Sequence, residues 1–224
     1  MTPTAAGLAF ARFESGGRRE WLMRIGAEDA PAILFVPPLF EEMNRTRALL
    51  AGVMRRLAAQ GFGCWLPDLS GTGESERELG EVAWDDWRHD VTSAVTHVTD
   101  KAGKPLVASL RGGVLLDDGG AARSWWRFAP VDGLALQRDM VRAGLAGVEW
   151  AGYAPSDALK AGLAGATQQE VTPLRTVRLD TDAQPADLKV DGPALWRRSE
   201  PGTSDTLADA LAADLAAWSR GCAG

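Results

Sequence analysis

Residues 32–61 read AILFVPPLFEEMNRTRALLAGVMRRLAAQG, and this stretch decides the architecture. Its first five residues, Ala32 to Val36, are an unbroken apolar run stopped by Pro37-Pro38. Such a run suits a strand buried on both faces, because a strand with one wet face would alternate. From Met43 to Gln60 the apolar residues fall at helical spacing, with Leu49, Leu50, Val53, Met54 and Leu57 on one stripe, and Gly61 closes the helix. A buried strand, a proline-bearing loop and an amphipathic helix make one β-loop-α unit.

The unit repeats downstream. Phe62 to Pro67 reads as a strand, Asp68 to Ser75 (DLSGTGES) as a turn-rich loop and Trp84 to Asp100 as an amphipathic helix. Leu106 to Leu110 (LVASL) is a third buried strand that runs directly into Arg111-Gly112-Gly113. Upstream, LAFARFES and REWLMRIG alternate on either side of Gly16-Gly17, the pattern of a β-hairpin. Towards the C-terminus, Trp125 to Val131 and Thr176 to Asp182 read as strands, Ala135 to Ala146 as a helix and Ala194 to Arg197 as a last edge strand. Ser204 to Arg220 reads as a closing helix capped by Ser204 or Asp205. The weakest pattern lies between Gln168 and Asp191. Strands alternating with helices at this spacing predict an α/β fold with a doubly wound, mostly parallel sheet, helices on both faces and no large lid domain. Residues 1–224 are read as a single domain.

Composition narrows the function classes. The chain has 224 residues, 46% of them apolar and 24% charged, with a net charge of −6. No dense Lys/Arg face is available to neutralise phosphates, so nucleic acid is not an expected partner. The opening MTPTAAGLAF lacks a basic region followed by a long apolar run, and no stretch approaches the ~18 apolar residues of a membrane span. Neither an export signal nor a membrane span is read, and a cytoplasmic location is expected. Cys64 and Cys222 fit no CxxC or metal-ligand spacing and read as thiols of a reducing compartment. His89 and His97 lie in one helical stretch, so no metal site is expected, nor any cofactor. The nine tryptophans are scattered, as core or pocket lining would be.

An initial hairpin, repeated βα units and a glycine-flanked turn after the central strand follow the order of an α/β-hydrolase. The string Asp68, Gly71, Gly73 and Ser75 is common in that superfamily after the strand preceding the nucleophile strand, where its role is a tight loop. More specifically, VPPLFEEMNRTR (Val36 to Arg47) closely resembles the P-P-F-x-E-E-M-N-K-[ST]-R segment of the exosortase A system-associated hydrolases, second type. The resemblance continues through Trp84-x-x-Trp87-x-x-Asp90, Phe128-Ala129-Pro130-Val131-Asp132-Gly133, Gly152-Tyr153 with a Ser/Pro-led helix after it, and Gly192-Pro193-x-x-Trp196, in the family's order. It implies the α/β-hydrolase fold and a genomic setting beside surface-polysaccharide and protein-sorting genes, without naming a substrate.

A serine hydrolase of this type needs small residues two before and two after its nucleophile, because the sharp strand-to-helix turn has no room for β-carbons there. With Ser109 as nucleophile those places fall to Val107 and Arg111, which the turn should reject; with Arg111 in the slot they fall to Ser109 and Gly113, which fit. Members of the resembled family tend to carry G-L-R-L-G here, matching Ser109 to Gly113 with Ser for the first Gly and Gly for the second Leu. A guanidinium cannot accept an acyl group. Asp180 or Asp182 could stand where the acid is placed, yet no histidine follows Trp196, and His89 and His97 belong to a helix before the elbow.

Arg111 is expected at the N-terminus of the elbow helix, beside the Pro37 to Glu42 loop, as a cationic point at the mouth of the sheet. The candidate binding residues are thus Arg111 with Leu39, Phe40, Glu41, Glu42 and Asn44. Either Glu41 or Glu42 neutralises the arginine, or an anionic ligand does, or both. The reading is an α/β-hydrolase-fold protein without a Ser-His-Asp triad that binds a small ligand or an exosortase-system protein. The alternative is an esterase or thioesterase working through Ser109 or a substrate group.

Overall fold

The computed structural model describes residues 7–143, 150 and 152–222. Strands β1 (Leu8–Ser15) and β2 (Arg18–Ile25) form the antiparallel hairpin, and β3 (Ala32–Val36), β4 (Gly63–Pro67) and β5 (Leu106–Leu110) are buried at every position. The sheet is completed by β6 (Ser124–Phe128), β7 (Leu174–Leu179) and β8 (Leu188–Val190). Eight strands lie in the order β1-β2-β4-β3-β5-β6-β7-β8; β2 meets both neighbours antiparallel and every later pairing is parallel. Both faces of the central strands must be dry, which is why their sequences are apolar runs and not alternations.

Two hydrophobic layers sandwich the sheet. On one face α1 (Glu41–Ala59) and α5 (Asp205–Gly221) pack Leu49, Val53, Leu57, Leu211 and Leu215 against Ile33, Ala108 and Trp126. On the other, α2 (Trp84–Ala102), α3 (Gly133–Ala143) and α4 (Asp157–Gly165) pack Trp87, Val91, Leu136, Leu159 and Leu163 against Leu34 and Val107. Ser156 and Ser204 cap α4 and α5, each accepting the backbone N–H three residues on. In the β4–α2 loop, Gly73 has φ 56 and a β-carbon there would lie 2.4 Å from the Asp68 carboxylate, which itself accepts the Glu74 N–H at 3.0 Å. The D-x-x-G-x-G-x-S string thus folds its own loop.

Three expectations need correction. Ala194–Arg197 is not an edge strand: Pro193 precedes it, and Leu195–Arg197 winds into a 3-10 turn closed by N–H donation from Arg197 to Ala194 O and from Arg198 to Leu195 O. The edge is Leu188–Val190, inside the stretch of weakest pattern. The elbow helix is only a 3-10 turn, Arg111–Leu115, so the positive helix end expected to add to the Arg111 charge is missing. The strand read as Trp125 to Val131 stops at Phe128, because Ala129 turns to φ 47 ahead of Pro130. Of the helix expected over Ala135 to Ala146, residues 144–146 lie outside the described residues.

Candidate functional site

β5 sits between β3 and β6, with Ser109 paired to Val36 on one side and to Arg127 on the other. Two residues later the chain turns sharply at Arg111, whose φ is 53, a left-handed value that few residues with a β-carbon adopt. Gly113 makes this turn possible: a β-carbon there would meet Pro37 O at 2.5 Å and Val36 O at 2.6 Å. The small residues therefore flank Arg111. Ser109 is 0% exposed, and its hydroxyl, still within the strand, stands near the Asp117 carboxylate without a well-aligned hydrogen bond.

The Arg111 side chain is 10% exposed and fixed on three sides. Its Nε donates to both Glu42 oxygens at 3.2 Å, Nη2 donates to Oε1 at 2.8 Å, and Nη1 donates to Ala129 O at 3.2 Å. The guanidinium carbon stands 4.7 Å from the centre of the Trp196 ring. Glu42 reaches the pair from the first turn of α1, delivered by a loop whose last residue, Phe40, is itself held at φ 55 and ψ −134. Burial pushes the Glu42 carboxyl above its ordinary value, and the Arg111 guanidinium pulls it partly back. Glu41 takes no part in this pair; it accepts from Arg45 at 3.4 Å and from Asn44 at 3.1 Å.

A second buried ion pair lies one strand away. Arg127 donates from Nε and Nη2 to Asp117 Oδ2 and Oδ1, both at 2.8 Å, and burial raises the Asp117 carboxyl while the guanidinium opposes the rise. Neither group is available for chemistry in that state. Of the two candidate acids, Asp180 is exposed, with its own N–H spent on Val190 O. Asp182 accepts from Arg178 at 2.7 Å and from the Gln184 N–H at 2.9 Å; partial burial would raise it, but these bonds and the Arg178 charge hold it below the ordinary carboxylate value.

The predicted residues separate into two clefts. Arg111 and Asp182 border a cavity of about 250 Å³ at the carboxyl ends of β6 and β7, together with Leu179, Thr181, Trp196 and Arg197. Leu39, Phe40 and Asn44 border another, of about 330 Å³, between the β3–α1 and β4–α2 loops, where Asn44 donates to the Tyr153 hydroxyl at 2.8 Å. Thr181, Trp196 and Arg197 were not read as site residues. Trp196 stood in the Gly192-Pro193-x-x-Trp196 motif, and Arg197 was visible only as the residue standing where a histidine was sought. His89 is exposed near Gly16 of the hairpin, and His97 lies against Trp65 of β4, 6.3 Å between ring centres; neither borders either cleft. Among the described residues no cluster of His, Cys, Asp and Glu is arranged to hold a metal, and no helix is long and apolar enough to cross a membrane.

No protein-family model matches the chain, and no curated protein matches it. Among solved structures it is similar to a thioesterase domain from the curacin biosynthetic pathway, at 14% identity and a TM-score of 0.59, covering 96% of this chain and 99% of that one. It is also similar to Est1E from Butyrivibrio proteoclasticus, solved with ferulic acid, at 12% identity and a TM-score of 0.57 over 75% and 77% of the two chains. At these identities the likeness is one of fold: the chain has an α/β-hydrolase-type fold, with no large lid among the described residues.

Proposed function

We propose that this chain is a binding protein built on the α/β-hydrolase fold, which engages a small ligand or a protein partner and does not hydrolyse esters through a Ser-His-Asp triad. One observation carries the reading. At the turn where such a fold presents its nucleophile stands Arg111, at φ 53 and bound to buried Glu42. A guanidinium is protonated at any physiological pH and offers no lone pair to an acyl carbon. No imidazole borders the cavity to take a proton, and general-base help is worth about 10²–10⁴ in rate.

The setting follows from sequence resemblance. VPPLFEEMNRTR and the motifs after it resemble the exosortase A system-associated hydrolases, so a place beside exosortase and exopolysaccharide proteins is part of the proposal. The rival reading, an esterase or thioesterase using Ser109, is disfavoured by that residue's complete burial within β5. The test is turnover of p-nitrophenyl acetate, p-nitrophenyl butyrate and an acyl thioester by the purified protein. No rate above the buffer blank is expected. Turnover that Ser109→Ala abolishes would overturn the reading.

A further inference from the structure

We infer that the cavity beside Arg111 is a binding site for a small organic carboxylate, held by the free N–H groups of Arg111 and the charge of Arg197. The inference rests on the non-hydrolytic reading and adds to it the chemical class of ligand.

Donors outnumber acceptors around this cavity. A guanidinium has five N–H groups, and Glu42 and Ala129 take one on Nε, one on Nη2 and one on Nη1. One N–H on each terminal nitrogen therefore has no partner among the described residues, and Arg111 borders the cavity. Trp196 borders it too, but its indole nitrogen is itself shut off from the cavity surface, so the ring is a wall of the site and not a donor to it. Buried donors left unpaired are rare in folded proteins because each forfeits its hydration, so an acceptor from outside the chain is called for.

The charges point to a single negative unit. Among the charged groups bordering the cavity, Arg111 is neutralised by Glu42 and Asp182 is paired with Arg178. Arg197 is exposed and has no ion pair among the described residues, which leaves one positive charge uncompensated. The walls also include Ala129, Leu179 and Ala194, so a ligand with a carbon body fits better than a bare oxyanion. A cavity of about 250 Å³ holds a molecule of the size of one sugar acid or one benzoate.

The experiment is isothermal titration calorimetry of the full chain with D-glucuronate, benzoate, their uncharged amides and inorganic phosphate. Wild type and Arg197→Gln are compared, with thermal unfolding checking that the variant folds. At least one carboxylate is expected to bind, with its amide about tenfold weaker or more and Arg197→Gln about 3- to 10-fold weaker, as loss of one charged contact implies. Arg197 is exposed and makes no ion pair among the described residues, so its variant is expected to fold. Absence of binding by both carboxylates, equal binding of an amide, binding of phosphate as tight as either carboxylate, or an unchanged affinity in Arg197→Gln would each overturn the inference. Ester turnover measured on the same samples keeps the two ideas apart. Turnover together with carboxylate binding sinks only the non-hydrolytic reading, and silence in both assays sinks only this inference.

Discussion

Glu42 Oε1 lies 2.8 Å from Arg111 Nη2, and the two residues, 69 positions apart, are 2% and 8% exposed. The contact joins the first turn of α1 to the tip of the β5 turn, so it ties the β3–α1 segment to the turn that carries Arg111. Removing one partner of such a pair leaves the other charge buried alone.

Arg111→Ala is accordingly expected to lower unfolding stability by about 3–5 kcal/mol, the usual cost of breaking a buried pair from one side. The deficit should depend on pH in a definite direction. Glu42 already has its carboxyl raised in the folded state, and the loss of Arg111 raises it further. A group with a raised folded pKa binds its proton more tightly folded than unfolded, so the penalty grows as pH rises through that window and fades as pH falls. Urea unfolding of wild type and variant at acid and neutral pH measures it; a deficit that widens in acid contradicts the assignment.

Arg111→Ser restores a hydroxyl at the turn without supplying a base. It is expected to show no turnover of p-nitrophenyl esters above the blank, since neither His89 nor His97 borders the cavity. Robust hydrolysis by this variant in a spectrophotometric assay would mean that another group near the turn serves as base.

Ser109→Ala should change stability by no more than about 1 kcal/mol, because the fully buried hydroxyl has only a poorly aligned contact with the Asp117 carboxylate to lose. Thermal unfolding decides this, and a loss beyond about 1 kcal/mol would show that the hydroxyl makes a well-aligned hydrogen bond after all.

His97 gives the fold an acid-side weakness. Burial against Trp65 lowers its pKa below 6.5, with Lys101 adding to the effect. The unfolded chain then binds more protons than the folded one between the lowered value and 6.5, so stability is lost as pH falls through that range and is flat above it. The slope cannot exceed about 1.4 kcal/mol per pH unit for one proton. Denaturation midpoints of wild type and His97→Gln between pH 7.5 and 5 should diverge, the variant losing less.

Much of this was legible in the chain. AILFV and LVASL give β3 and β5 to the residue, because burial on both faces removes every polar position. The position of Arg111 at the turn also follows from sequence, since only Ser109 and Gly113 are small enough to flank it. What could not be read is equally physical. β8 is three residues long, too short for a period of two to declare itself. The choice between Glu41 and Glu42 depends on helical register: one residue's rotation sends Glu41 to Arg45 and Glu42 to Arg111. Leu39, Phe40 and Asn44 were grouped with Arg111 by neighbourhood in sequence, yet they border a different cleft from the one Arg111 borders.

The positive φ of Arg111 bears on how such a protein could change its chemistry. A left-handed backbone costs about 1–2 kcal/mol for most residues carrying an unbranched β-carbon, whatever lies beyond that carbon. Serine, cysteine and arginine therefore sit at this turn at nearly equal backbone expense, and the turn itself does not discriminate among them. Selection at position 111 acts on the side chain alone. A turnover catalyst and a receptor for anions can in this way be neighbours in mutational space, separated less by the backbone than by what stands opposite the turn: an imidazole in one, a buried glutamate in the other.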